Sequence, residues 1–271
     1  MGDLELLYRI DTYLDAVPRR VTRTEQVGPF TLFVQQGNGW RYYARPTPGV
    51  REVTPDDVEI VRQRQRKLSQ PEAVEWVVEL APSVGPASTA AGLDVIEHPL
   101  MHIPAGAFRP ALAPHGVRLE VVRPDEDVAL IHAVASIGFA APGTAIGRAG
   151  PEALDAAADA VNDGIVTATR EQLAVGNTVT MAAWADGSPV AIGSHNPRDG
   201  VTEIVGVATL PAYRRRGFAA AVTSALVDDA LSRGIRIVCL SADDGTVARV
   251  YARLGFETVG TVGAADVGRQ P

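Results

Sequence analysis

Arg214-Arg215-Arg216-Gly217-Phe218-Ala219 is the stretch of this chain whose residue types and spacing could do chemistry. It fits the pattern Q/R-x-x-G-x-G/A and stands directly between an apolar strand pattern and a long helical one. That placement makes an anion cradle. Gly217 has no Cβ, so backbone can come close to a phosphate, and the first N–H groups of the helix, aided by its dipole, can point at a pyrophosphate. Ala219 keeps the next contact small, and three adjacent arginines add positive charge.

The elements that must position this turn are legible on either side. VTEIVGVATL, residues 201–210, reads as a strand and IRIVCLSA, residues 235–242, as a buried one, with a helix between them. ARVYARLGF then reads as a helix closed by Gly255, since glycine takes the left-handed C-cap conformation cheaply, with Phe256 opening the next strand inside the core. Upstream, residues 117–122 read as a strand and 125–137 as a helix that Ala140-Ala141-Pro142-Gly143-Thr144 ends. A second helical stretch starts at Gly150-Pro151 and runs to about residue 175, carrying Asp155, Asp159 and Asp163 at i, i+4 and i+8 as an acidic stripe. Strands 178–184 and 190–194 form a hairpin through Asp186-Gly187.

Taken together, residues 117–262 resemble the Gcn5-related N-acetyltransferase (GNAT) superfamily, whose cofactor motif is this strand, turn and helix. The resemblance implies an α/β (α+β) fold: a mixed sheet of the acyl-CoA N-acyltransferase type flanked by helices, its fourth and fifth strands splayed to admit acetyl-CoA. By resemblance, the backbone of Val207, Ala208 and Thr209 would pair with pantetheine and receive the thioester carbonyl, where an N–H could stabilise the developing oxyanion. The amides of Arg215, Arg216, Gly217, Phe218, Ala219 and Ala220 would take the pyrophosphate, with Arg214 adding charge. Tyr251 stands where relatives carry a Tyr before x-x-LGF; a phenol with a pKa of about 10 stays protonated at neutral pH and can protonate the departing thiolate. Glu203, fourteen residues before Gly217, matches the general-base position of the histone-acetylating branch. An amine substrate arrives as an ammonium and needs such a base, or an ordered water. The asparagine that many relatives carry near the start of the Tyr251 helix is replaced here by Asp243, Asp244 and Gly245.

The implied activity is transfer of an acetyl group from acetyl-CoA to a primary amine of a small molecule, by direct ternary-complex transfer. A non-catalytic acyl-CoA sensor, a protein N-terminal or lysine acetyltransferase, and a longer-chain acyl donor stay open as alternatives. The assembly state also stays open, a homodimer included.

At 271 residues the chain is longer than a usual single domain of about 100–150, which predicts two domains, residues 1–110 and 117–271. Residues 103–116, rich in Pro and Gly, form the linker. The first domain is expected to be smaller and α+β: a helix over 3–16, a hairpin turning at Asn38-Gly39, a helix after Thr54-Pro55-Asp56-Asp57 bearing Arg62, Arg64 and Arg66, a strand over 73–80, a short helix over 83–91 and a strand over 94–103. Placing Ala91-Gly92-Leu93 on Leu254-Gly255-Phe256 puts Ser88 at the position of Tyr251, with no glycine turn before it, so this half reads either as a degenerate GNAT-like domain or as an unrelated α+β cap. A net charge of −7 excludes nonspecific nucleic-acid binding and suits a cationic acceptor. The acidic start and the lack of an apolar run of about 18 residues predict a cytoplasmic protein with no membrane partner. Cys239, the single cysteine, lies in an apolar run and reads as an inert core residue. His98, His102, His115, His132 and His195 are scattered, and no metal site is expected.

Overall fold

The computed structural model describes residues 2–141 and 143–268; Pro142, expected to help end the 125–137 helix, and Pro271, the expected end of the second domain, lie outside the described residues. The chain divides into two compact units that are not contiguous in sequence. One takes the chain up to Met101, together with Ser241–Gly245 and the segment from Thr258 onward; the other takes His102–Leu240 and Thr246–Glu257.

In the first unit, helix α1 (Asp3–Ala16) precedes the antiparallel strands β1 (Thr22–Val27), β2 (Phe30–Gln35) and β3 (Arg45–Pro46). The hairpin expected at Asn38-Gly39 forms only at its base. β2 and β3 pair through Phe30–Pro46 and Thr31–Arg45, and residues 36–43 between them are irregular. The tight turn of this region is instead at Gly28-Pro29, joining β1 to β2, where Gly28 has φ 57. Asn38-Gly39 lost because the residues after it do not alternate inward and outward; Trp40 stands 77% exposed and gives the ladder nothing to bury.

Helix α2 (Pro55–Lys67) begins with a capping box in which Thr54 and Asp57 satisfy each other's backbone N–H. Its arginines are held by carboxylates: Arg62 and Arg66 by Glu59 and Glu72, Arg64 by Glu25. Strand β4 (Ala73–Val77) follows and runs parallel to the β3 segment, touching it at the single bridge Ala44–Val74. Helix α3 (Val84–Ala90) and strand β5 (Asp94–His102) complete the N-terminal segment. The last strand of the chain, β11 (Glu257–Asp266), inserts between β4 and β5, antiparallel to β4. Trp76, Phe30, Leu32 and Val84 lie in the core of this unit.

The second unit is built on a mixed sheet in the order β10-β9-β8-β7-β6, formed by β6 (Arg118–Val121), β7 (Val179–Ala185), β8 (Ser188–His195), β9 (Val201–Thr209) and β10 (Ile237–Ser241). Asp186 and Gly187, both at positive φ, close the β7–β8 hairpin as the sequence predicts. Helix α4 (Val128–Ala140), capped by Asp127, packs on β8 and β9, and α7 (Phe218–Ser232) packs on β7, β8 and β9. The helical stretch expected from residue 150 to 175 is divided into α5 (Leu154–Asp159) and α6 (Asp163–Ala174). The break comes where Asn162 turns its side chain back to cap Gly164 N–H at 2.8 Å. Asp155 and Asp159 therefore share one helix while Asp163 starts another, and the acidic stripe is interrupted. Helix α8 (Gly245–Ala252) carries Tyr251.

One buried polar network ties β8, β9 and α7. His195 is fully buried; its Nδ1 meets Thr202 Oγ1 at 3.0 Å and its Nε2 meets Asp229 Oδ2 at 2.9 Å, while Arg233 braces Asp229. His195 thus sits in the core of the sheet. Burial pushes its pKa below the ordinary 6.5, against the pull of Asp229. Burial would raise the Asp229 pKa, but hydrogen bonds from Arg233 and His195 hold it below 3.8. With its folded pKa depressed, neutral His195 contributes stability that is complete above 6.5 and is lost as pH falls through the folded value, because the unfolded chain takes up the proton first. The Asp229 contribution fades in a separate window below 3.8. Urea unfolding is expected to show lower stability at pH 5.5 than at pH 7.5, with a smaller difference in His195→Gln; equal stabilities at the two pH values in the native protein would remove this role.

Candidate functional site

The site begins with a defect in strand pairing. β10 runs parallel to β9 only through Ile237–Val201, Val238–Thr202 and Cys239–Glu203, whereas β9 continues to Thr209. On its other edge β9 carries a bulge. Ile192 of β8 faces Ala208 and Ser194 faces Val205, so Gly206 and Val207 together oppose Gly193. Gly206 sits at φ 63, a left-handed conformation that a glycine adopts without strain. A bulge of this kind bends its strand and increases the local twist, which turns β9 away from β10 just past their last pair. The backbone of residues 204–209 is left without a β10 partner. Leu210 donates its N–H to Val190 O at 2.9 Å, toward β8. By strand alternation the N–H of Thr209 turns to the open side. The Thr209 hydroxyl is buried with no hydrogen-bond partner among the described residues.

β9 feeds the basic turn through a short 3₁₀ segment, Pro211–Tyr213. Arg215 takes φ 61 and Gly217 φ 88, so two left-handed residues wind the chain tightly into the N-terminus of α7. No side chain caps that end; among the described residues the first intrahelical bond is Ala221 N–H to Gly217 O, and the amides of Phe218, Ala219 and Ala220 face outward. The three arginines have three different situations. Arg214 donates to Gly138 O at 2.7 Å, Ala141 O at 2.6 Å and Ala145 O at 3.2 Å, pinning the C-terminal turn of α4 and the loop after it. Arg216 lies over the rings of Tyr213 and Phe218, at 4.8 and 5.4 Å. Arg215 is exposed, and no ion pair or hydrogen bond of its side chain occurs among the described residues.

Glu203 is half-buried and lies beside Cys239 at the last β9–β10 pair. Thr202 faces α7 through its bond to His195, so Glu203, the next residue, leaves the sheet on the opposite face. Cys239 is wholly buried; burial first, and then the Glu203 charge, push its thiol well above the ordinary range, which suppresses the thiolate. Tyr251 is 8% exposed, its ring edge-on to Phe256 at 5.9 Å. Burial pushes its phenol up to about 12, so it stays protonated across the neutral range. Its hydroxyl has no hydrogen-bond partner among the described residues. The structure therefore brings Val207, Ala208, Thr209 and the amides of residues 215–220 onto one continuous path, with Glu203 at its start.

Sequence reasoning missed two contributors. Gly206 carried a signal, since a lone glycine inside a strand pattern marks a bulge. The anchoring by Arg214 carried none, because its carbonyl partners lie some seventy residues upstream.

Residues 153–256 match the model of the acetyltransferase (GNAT) family. This segment is a GNAT acetyltransferase domain. The match leaves out residues 117–152, which supply β6 and α4, and residues 257–262, all of which the resemblance includes. Among solved structures, a GCN5-related N-acetyltransferase from Kribbella flavida is 23% identical over 97% of this chain and 96% of its own, with a TM-score of 0.71. A GNAT-family protein from Novosphingobium aromaticivorans is 17% identical over 98% and 97%, with a TM-score of 0.54. A tandem GNAT protein from the clavulanic acid biosynthesis pathway is 15% identical over 89% of this chain and 79% of its own, with a TM-score of 0.53. At these identities the likeness is one of fold. No curated protein matches the chain. The match of residues 153–256 to this family is consistent with an acyltransferase. Among the described residues no group of three or more His, Cys, Asp or Glu could hold a metal, and no helix is long and apolar enough to cross a membrane.

Removing the Arg214 guanidinium strands three carbonyls at the end of α4. Hydrogen bonds to a charged group are worth about 1.5–3 kcal/mol, so Arg214→Ala is expected to lose about 2 kcal/mol of stability in urea titration. Unchanged stability would show the anchor to be idle.

Proposed function

We propose that the protein transfers an acetyl group from acetyl-CoA directly to a primary amine of a small molecule, with both substrates bound together. The observation that carries this reading is the strand gap that opens past Glu203 and runs without interruption into the uncapped N-terminus of α7. The gap offers unpaired backbone to an extended amide chain such as pantetheine, and the helix end offers consecutive N–H groups to a diphosphate. These residues fit CoA: Val207, Ala208 and Thr209 along the pantetheine, and the amides of Arg215, Arg216, Gly217, Phe218, Ala219 and Ala220 at the diphosphate. Arg215 is free to add charge there, whereas Arg214 serves by holding α4 in place. Acetyl-CoA, when bound, supplies the activated acyl group.

The chain's own groups then divide the work. Glu203 takes a proton from the incoming ammonium, directly or through water. The N–H of Thr209 faces the thioester oxygen as charge develops on it. Tyr251 holds its proton firmly, as a pKa of about 12 requires, and gives it to the thiolate as the C–S bond breaks. The net charge of −7 and the exposed Asp155 and Asp159 suit a cationic acceptor. In the N-terminal half, α2 opens with Pro55, which has no N–H, with the Asp57 N–H taken by Thr54, and with the carboxylates of Asp56 and Asp57 in its first turn, which repel a phosphate. We infer that this half is a GNAT-like domain without cofactor binding, Ser88 being buried where the other half has Tyr251.

The test is CoA-thiol release from acetyl-CoA across a panel of small amines. Tyr251→Phe and Glu203→Gln are each expected to lower kcat about tenfold to a hundredfold, with the CoA dissociation constant within twofold of the native value. Cofactor-dependent thermal stabilisation without thiol release would favour a sensor, and turnover of peptides alone would shift the acceptor to protein amines.

A further inference from the structure

The linker expected over residues 103–116 has no helix or strand, yet it is fastened to the second unit at each step. Ile103 N–H donates to Val238 O at 3.1 Å and Arg109 N–H to Leu254 O at 2.9 Å. Between these two bonds the chain presses on the turn after α8: a Cβ added to Gly255, already at φ 96, would collide with the carbonyl oxygen of Ala107. Ala111 N–H then donates to Ser224 Oγ at 3.0 Å, and Pro114 Cγ comes to 3.8 Å from where a Cβ on Gly217 would stand.

The spacing of these anchors is informative. Gly217 and Ser224 are seven residues apart on one face of α7, a rise of about 10 Å. Three residues of extended chain, Ala111 to Pro114, span about 10 Å as well. The reach of the segment thus matches the rise of α7 between the two anchors, and Pro110 and Pro114 stiffen it. Its lower end holds the turn three residues beyond Tyr251; its upper end lies beside Gly217, the N-cap residue of α7 within the diphosphate-binding turn.

We propose that residues 107–114 are a positioning strap that sets the distance between the Tyr251 phenol and the diphosphate turn, with Ser224 as its anchor on α7. This rests on the reading of Tyr251 and of residues 215–220 given above. A cofactor fixed at its diphosphate and reaching the phenol with its sulfur is sensitive to that distance, since a displacement of about 1 Å can cost a hundredfold in rate. The strap touches neither reacting atom, so its effect falls on the chemical step more than on cofactor affinity.

Hydrogen exchange on the full chain, with CoA as the probe, reads the strap directly. CoA clamps both anchor points, so the Arg109 and Ala111 amides are expected to exchange at least about fivefold more slowly with CoA than without it. Unchanged exchange while calorimetry shows CoA bound would overturn the strap and leave the cofactor site standing. No CoA heat at all would overturn the site reading, and the strap with it. In Ser224→Ala, kcat with the best amine of the panel is expected to fall about tenfold while the CoA dissociation constant stays within twofold, and Ser224→Thr is expected to restore the rate. Native kcat in Ser224→Ala, or a loss of affinity equal to the loss of rate, counts against positioning. If Ser224→Ala does not fold, exchange in the native protein decides alone.

Discussion

The rest of the second unit depends on one constraint: β9 cannot satisfy both neighbours along its whole length. The two-for-one mismatch at Gly206 and Val207 keeps its ladder with β8 intact on either side and bends it out of reach of β10 beyond Glu203. Unpaired backbone inside a protein is costly, and it persists where something else is to be bound there. An extended ligand with amide groups restores the missing hydrogen bonds in the way another strand would.

The same strand end also sets where the charge goes. Leaving β9, the chain has only the Pro211–Tyr213 segment before two left-handed residues deliver it to α7, so the open backbone and the helix N-terminus lie in immediate succession. Arg214 makes this arrangement rigid from the other side by holding the end of α4 against it. The basic run thus has divided roles. One arginine fastens structure, one stacks on aromatic rings, and one is exposed beside the amides.

The helix starts of α2 and α7 are closed in different ways. Where the second half has glycine and uncapped amides, the first has Thr54 and Asp57 closing the helix end on themselves. At the start of α2, Pro55 has no N–H to give and the Asp57 N–H is already taken by Thr54.

Much of this was legible in the residues. The glycine turn, the Tyr251-to-Phe256 run, the Asp186-Gly187 hairpin and the capping box at Thr54 are local patterns, and local backbone chemistry alone dictates them. Asn38-Gly39 was equally local and was overruled, because the strands it should have joined had too little to bury near the tip. What the sequence could not carry was anything decided by partners distant along the chain. The insertion of the last strand between β4 and β5, the grip of Arg214 on α4, the burial of His195 against Asp229 and the fastening of residues 107–114 to the turn after α8 and to α7 all depend on which surfaces meet after folding. A residue's type states what bonds it can make; only the packed tertiary structure decides which partner is there to make them.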